Sequence, residues 1–121
     1  MGHPAHHHKI NYIEFSTTSA AKAKAFYSKV FGWEFQDWGP DYISFSSGSG
    51  GIDGGFRAGP NPEKTGESAP LVVLYSSDLK ATEAAIVAAG GRIVVPTFEF
   101  PGGRRFHFSD GAGNVLAVWS E

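Results

Sequence analysis

The stretch AKAFYSKVFGW, residues 23–33, decides the fold. Its apolar side chains recur at the spacing that places them on one face of an α-helix: Ala23, Phe26, Tyr27, Val30 and Phe31. Gly32 follows them at the position where helices commonly end in a left-handed residue. The hydroxyl-bearing residues 17–19 lie upstream and suit the N-terminal cap. We therefore expect an amphipathic helix that ends at Gly32.

The segments around this helix predict short β-strands, and the whole pattern occurs twice. In the first half, runs bounded by Gly, Pro and Ser turns predict strands at residues 10–16, 34–37, 42–46 and 51–56. In the second half, Asp78 suits the cap of a helix over 79–89, and strands are expected at 71–75, 92–95, 104–109 and 115–119. An offset of 59 residues places Tyr12 over Leu71 and Gly32 over Gly91. The sequence therefore predicts an α+β fold of two tandem βαβββ modules.

Domain boundaries follow from this repeat. We expect a single domain over residues 9–121, with module 1 at about 9–58, a polar proline-bearing linker at about 59–70 and module 2 at about 71–121. Residues 1–8 hold four of the five histidines and lack the apolar core of a signal peptide. They are expected to be a tag-like or disordered end, with a metal-binding histidine tract as the alternative.

Composition excludes several classes of protein. The 121 residues contain 10 Lys and Arg against 12 Asp and Glu, so a net charge of −2 gives no support for a nucleic-acid or anionic-membrane partner. The absence of cysteine excludes disulfides, thiolate metal sites and a cysteine nucleophile. No apolar run approaches the roughly 20 residues of a membrane span, and a cytoplasmic location is expected. The 16 glycines and 7 prolines fit many turns between short strands.

Alternation along the strands separates two faces. One is consistently apolar and is expected to pack on the helices: Ile13, Phe15, Ile43, Phe45, Val72, Leu74, Phe106, Phe108, Leu116 and Val118. The other mixes aromatic, charged and small side chains: Tyr12, Glu14, Tyr42, Leu71, Tyr75, Arg105, His107, Ala117 and Trp119. Aromatic side chains beside a few polar groups favour a ligand cleft, with filled packing or a dimer interface as the alternative.

Four segments carry a resemblance to a known family: YIEF at 12–15, AFYSKVFGW at 25–33, AAGGRI at 88–93 and FSDGAGNVL at 108–116. The chain resembles the vicinal oxygen chelate superfamily, which includes glyoxalase I, extradiol dioxygenases and the fosfomycin- and bleomycin-resistance proteins. The last segment is similar to the family's D-P-D-G-N turn, with Gly111-Ala112 where Pro-Asp usually stands. The resemblance implies a curved mixed β-sheet around a cleft, helices on the outer face, and a homodimer.

The resemblance also implies where a metal ion would lie. Metal-dependent members hold a divalent ion with a histidine on the first strand of each module and a carboxylate on the last. These positions fall on Tyr12 and Leu71, and on Ala117 with either Asp53 or Gly55. Leucine and alanine offer no donor, whereas a divalent ion needs three or more N or O donors from the protein. We therefore expect no metal cofactor.

Glu14 and His107 are the catalytic candidates. A carboxylate and an imidazole on the predicted cleft face could act as an acid–base pair. Their structural alternatives are a solvated Glu14, or one paired with Arg105, and a His107 hydrogen-bonded to a neighbouring strand. Together with Asp53, the two residues could also form a displaced metal site. Arg105 is expected on a hairpin shoulder, with capture of an anionic substrate as the alternative.

The sequence thus predicts a metal-free protein that binds a small aromatic or apolar molecule. The residues expected to line its site are Tyr12, Glu14, Tyr42, Asp53, Leu71, Tyr75, His107, Ala117 and Trp119. The alternative is an enzyme, a glyoxalase- or dioxygenase-like lyase, isomerase or oxygenase, which would use a displaced metal or the Glu14–His107 pair. A homodimeric module without a ligand is the third hypothesis.

Overall fold

A computed structural model describes residues 7–59 and 70–121. Of the predicted N-terminal end, only residues 7 and 8 lie inside these ranges, and of the predicted linker, only residues 59 and 70 do. The elements follow in the order β1 (Tyr12–Thr17), α1 (Ala20–Phe31), β2 (Glu34–Asp37), β3 (Tyr42–Ser46), β4 (Asp53–Ala58), β5 (Val73–Tyr75), α2 (Leu79–Ala88), β6 (Arg92–Phe100), β7 (Gly103–Ser109) and β8 (Val115–Ser120).

The strands form two four-stranded sheets of the same design, with the orders β1-β4-β3-β2 and β5-β8-β7-β6. In each sheet the first and last strands of one module pair in parallel, and the remaining pairs are antiparallel. Each module also contains one helix. The predicted α+β fold of two βαβββ modules is therefore confirmed, and its eight strands divide between two mixed sheets.

Both helices begin at the predicted caps. The Ser19 side chain accepts a hydrogen bond from the Lys22 amide at 3.2 Å, and Asp78 accepts one from the Ala81 amide at 3.1 Å. Gly32 ends α1 with φ 72°, and its own amide donates to the Ser28 carbonyl. This left-handed backbone is why a glycine must stand there.

The bounds of four strands differ from the sequence prediction by two or more residues, and the first of these is β1, which begins at Tyr12 instead of residue 10. β6 continues to Phe100 instead of stopping near Val95. Its pairing with β7 shifts on both sides of Val95, and because the second shift includes Pro96, the strand tolerates the missing amide. β4 runs Asp53–Ala58, two residues later than expected. β5 begins at Val73, so Leu71 precedes the strand. The longer β6 places Phe98 and Phe100 beside β7.

One hydrophobic core joins the two modules. It contains Phe15, Ile43, Phe45 and Phe56 from the first sheet, Phe106, Phe108, Leu116 and Val118 from the second, and residues from both helices. The rings of Phe26 and Phe31 in α1 each lie 6.0 Å from that of Phe108 in β7. Most of the predicted apolar face is therefore buried, whereas Ile13, Val72 and Leu74 are half-buried against the core.

The turn between β7 and β8 also connects the modules. Its Asp110 carboxylate accepts hydrogen bonds from the amides of Ala112 (2.7 Å) and Asn114 (3.1 Å) and from the Tyr27 hydroxyl (2.9 Å). The Asn114 side chain donates to the Ser16 carbonyl of β1 at 2.8 Å. The family-like turn is thus a buried polar link between module 2 and the first strand and helix of module 1.

Candidate functional site

The first candidate surface lies on β1, β3 and β4 and is called here the tyrosine face: Tyr12, Glu14, Tyr42, Asp53 and Arg57. The hydroxyls of Tyr12 and Tyr42 lie 2.5 Å apart, and that of Tyr42 donates to Glu14 Oε1 at 3.1 Å. The Arg57 guanidinium donates to Glu14 Oε2 through Nε at 3.2 Å and Nη2 at 3.1 Å. Because both carboxylate oxygens already accept hydrogen bonds, this arrangement holds Glu14 in place and does not favour it as a general base.

Gly55 makes room for the two tyrosines. A Cβ atom at this position would lie 2.2 Å from the Tyr42 hydroxyl and 2.8 Å from that of Tyr12. Desolvation and hydrogen bonds with Tyr12 and Glu14 raise the pKa of Tyr42 far above its ordinary value. The Tyr42 hydroxyl therefore stays protonated and acts as a hydrogen-bond donor.

Asp53 lies on the same face, beside Tyr12. The two residues pair across β1 and β4 and line a shallow depression of about 360 Å³ together with Glu34, Gln36 and Ser44. The sequence left open which residues of β4 share a face with Tyr12 and Glu14. The register places Asp53, Gly55 and Arg57 there, because they alternate along the strand.

The second candidate surface lies on β5 to β8 and is called here the arginine face: Tyr75, Phe98, Arg105, His107 and Trp119. The rings of Tyr75 and Trp119 meet edge to face at 5.2 Å. The guanidinium carbon of Arg105 lies 5.3 Å from the ring centre of Phe98, and Arg105 pairs with Trp119 across β7 and β8. An aromatic surface therefore surrounds a single arginine side chain.

His107 has an aromatic and cationic environment. Its ring lies 5.8 Å from that of Phe98, and its Nε2 is buried with no hydrogen-bond partner among the described residues. Burial, followed by the charge of Arg105, lowers the pKa of His107. The imidazole is therefore mainly neutral at pH 7, and Arg105 supplies the positive charge of this face.

The structure places the two catalytic candidates in different sheets. Glu14 belongs to β1, whereas His107 belongs to β7 and pairs with Ala117. No hydrogen bond or ion pair of residues 7–59 and 70–121 joins them. The Glu14–His107 pair and a cleft walled by both faces stay predictions.

The strand registers decide which residues occupy the implied metal positions. Glu14 pairs with Gly55 and, at the equivalent place in module 2, Val73 pairs with Ala117. Gly55 is therefore the counterpart of Ala117, and neither has a donor side chain. The described part of the chain contains no group of three His, Cys, Asp or Glu residues arranged for a metal ion. The residues present at these positions do not fit the metal centre of the metal-dependent relatives.

Two residues of the faces, Arg57 and Phe98, and the neighbouring Phe100 were not predicted. Arg57 falls beyond the predicted end of β4, and Phe98 and Phe100 fall beyond the predicted end of β6. The alternation of Phe98 and Phe100 after Pro96 is a signal that strand pairing continues past the proline.

The described residues also contain no helix long and apolar enough to cross a membrane.

Comparison with known proteins agrees with this architecture. The family model described as Glyoxalase/Bleomycin resistance protein/Dioxygenase superfamily matches residues 9–118. The chain belongs to this superfamily. The sequence resemblance is thereby confirmed, whereas the chemistry of members differs and is not given by the fold.

Individual relatives are distant. "Putative glyoxylase CFP32" of Mycobacterium tuberculosis is 26% identical in an alignment of 117 residues that covers 90% of this chain and 44% of that protein. The chain thus spans less than half the length of this relative. TioX from Micromonospora sp. ML1 has 22% identity and a TM-score of 0.70, with 91% of this chain and 96% of that chain covered. Lactoylglutathione lyase from Agrobacterium tumefaciens has 18% identity and a TM-score of 0.68, with 93% of each covered. At these identities the structural likeness shows the fold alone.

Proposed function

We propose that this superfamily member binds a small, flat aromatic or apolar molecule on its exposed sheet faces without a metal ion. The observation that carries this proposal is the residue set at the implied metal positions, where Leu71, Gly55 and Ala117 offer no side-chain donor. One of these positions, Gly55, lies against the side chains of Tyr12 and Tyr42, and Ala117 precedes the aromatic Trp119 by two residues on the same face of β8. A metal-free function in binding accounts for both features.

The exposed aromatics support an aromatic or apolar ligand. Tyr12 is 46% and Tyr75 53% exposed, although both are large side chains that proteins commonly cover.

We propose that a second copy of the chain covers part of these faces, so that the protein acts as a homodimer. Light scattering is then expected to give about twice the mass of one chain.

The binding proposal is tested with 2-naphthamide, a neutral flat aromatic probe, by isothermal titration calorimetry. We expect saturable binding that excess EDTA leaves unchanged, because no metal takes part. Trp119→Ala should weaken binding about tenfold by removing an aromatic wall. Val87→Ala, which shortens a 56% exposed side chain on helix α2, is the control and should leave the affinity unchanged.

Two outcomes would contradict the proposal. One is the absence of any binding heat from folded protein with millimolar 2-naphthamide and also with its anionic analogue 2-naphthoate. The other is binding that disappears with EDTA and returns with an added divalent ion. Catalysis by Glu14 and His107, and a cytoplasmic location, stay predictions.

A further inference from the structure

Arg105 is held in a fixed position by aromatic side chains. Its guanidinium carbon lies 5.3 Å from the ring centre of Phe98 and 5.7 Å from that of Phe100. Both distances lie within the range of cation–π attraction. The side chain is half-buried on the central part of the arginine face, between β6 and β8.

The same side chain has an unused donor. Its Nε is buried and has no hydrogen-bond acceptor among the described residues. The ion pairs found in residues 7–59 and 70–121 join Lys24 to Asp37 and Arg57 to Glu14, and neither includes Arg105. A buried donor without an acceptor lowers the stability of the fold, so such a group in a native protein calls for a partner outside the chain.

The comparison with Arg57 shows what Arg105 lacks. Arg57 donates from Nε and Nη2 to one oxygen, Oε2, of the Glu14 carboxylate, so its charge is paired with an anion. The guanidinium of Arg105 instead lies beside aromatic rings, and the ion pairs found among the described residues do not include it. A planar anion from outside the described residues would supply the acceptor that the guanidinium of Arg105 lacks.

We propose that the arginine face binds an aromatic molecule that bears a carboxylate or a similar planar anion, and that Arg105 takes the anion. The rings of Tyr75 and Trp119, in contact at 5.2 Å, supply the apolar wall for the aromatic part. This proposal rests on the proposed binding function and adds the charge of the ligand to it. Arg105 is then a specificity-determining residue, because a neutral ligand leaves the N–H donors of its guanidinium without an anionic acceptor.

The test compares 2-naphthoate with 2-naphthamide, which have the same ring system and differ in charge. Calorimetry is performed on the wild-type chain, on Arg105→Met and Arg105→Lys, and on the control Arg104→Gln. Arg104 is the adjacent arginine on the opposite side of β7, where it lies near Leu79 and Glu83 of α2. Circular dichroism checks that each variant is folded.

We expect wild type to bind 2-naphthoate about tenfold or more tightly than 2-naphthamide. Arg105→Met should remove this preference while the affinity for 2-naphthamide stays the same, and Arg105→Lys should keep only part of it. Arg104→Gln should retain the full preference.

The outcomes separate the two proposals. Equal affinity of wild type for both probes would overturn the role of Arg105 and leave the binding function intact. No binding of either probe would overturn both. A dimer that dissociates in Arg105→Met, with an unchanged preference for 2-naphthoate, would show that Arg105 meets a second copy of the chain and would also overturn the proposal.

Discussion

Replacing Asp110 with alanine is expected to lower the free energy of unfolding by about 3 kcal/mol or more. The change leaves the amides of Ala112 and Asn114 and the hydroxyl of Tyr27 without their acceptor. Ala112 is 1% exposed, and Asn114 and Tyr27 are 0% exposed, so water cannot replace the carboxylate. Chemical denaturation followed by circular dichroism measures the effect.

Asp37→Ala is the matched control for this variant. Asp37 accepts a hydrogen bond from Lys24 at 3.1 Å in an exposed ion pair, and its loss is expected to cost about 0.5 kcal/mol or less. Tyr27→Phe removes one donor and should have an intermediate effect of about 1 kcal/mol. A loss below about 1 kcal/mol in Asp110→Ala would contradict the role of this turn as the link between the modules.

Gly54→Ala is the second substitution with a large expected effect. A Cβ atom at Gly54 would lie 2.0 Å from the Ile13 carbonyl oxygen and 2.7 Å from the Phe45 ring. Because Gly54 pairs with Ile13 across β1 and β4, the two strands would have to separate. We expect a loss of about 3 kcal/mol or more in the free energy of unfolding, or a failure to fold.

Gly59→Ala tests whether steric contact is the cause. No atom of residues 7–59 and 70–121 lies within 4 Å of a Cβ built at Gly59, so alanine should be tolerated there with a change of about 0.5 kcal/mol or less. Equal denaturation midpoints for Gly54→Ala and wild type would contradict the close approach of β1 and β4.

The fold was predictable because its signals are local. The stripe from Ala23 to Phe31, the caps at Ser19 and Asp78, and the stop at Gly32 each depend on residues within a few positions of one another. The alternation of Phe106 and Phe108 likewise identified the buried face of β7. Repetition of these signals after 59 residues then indicated two modules.

The polar contacts of the two faces were less predictable because they join residues distant in sequence. Alternation placed Glu14 on the correct face, but its partners Tyr42 and Arg57 come from strands whose register depends on packing. Asp110 was identified in a turn, whereas its bond to Tyr27 spans 83 positions. The length of β6 depended on whether pairing resumes after Pro96, which local propensity alone does not decide.

We propose that this chain binds its ligand without the metal ion of its metal-dependent relatives. The most direct measurement is the metal content of the full chain with His3, His6, His7 and His8 replaced by serine, because those four histidines can bind metal by themselves. The protein is purified without chelator and analysed by inductively coupled plasma mass spectrometry, before and after incubation with Zn²⁺, Mn²⁺ and Fe²⁺ and desalting. We expect well under one equivalent of any divalent ion in each sample and unchanged binding of 2-naphthamide. One equivalent of a retained ion that the probe requires for binding would contradict it.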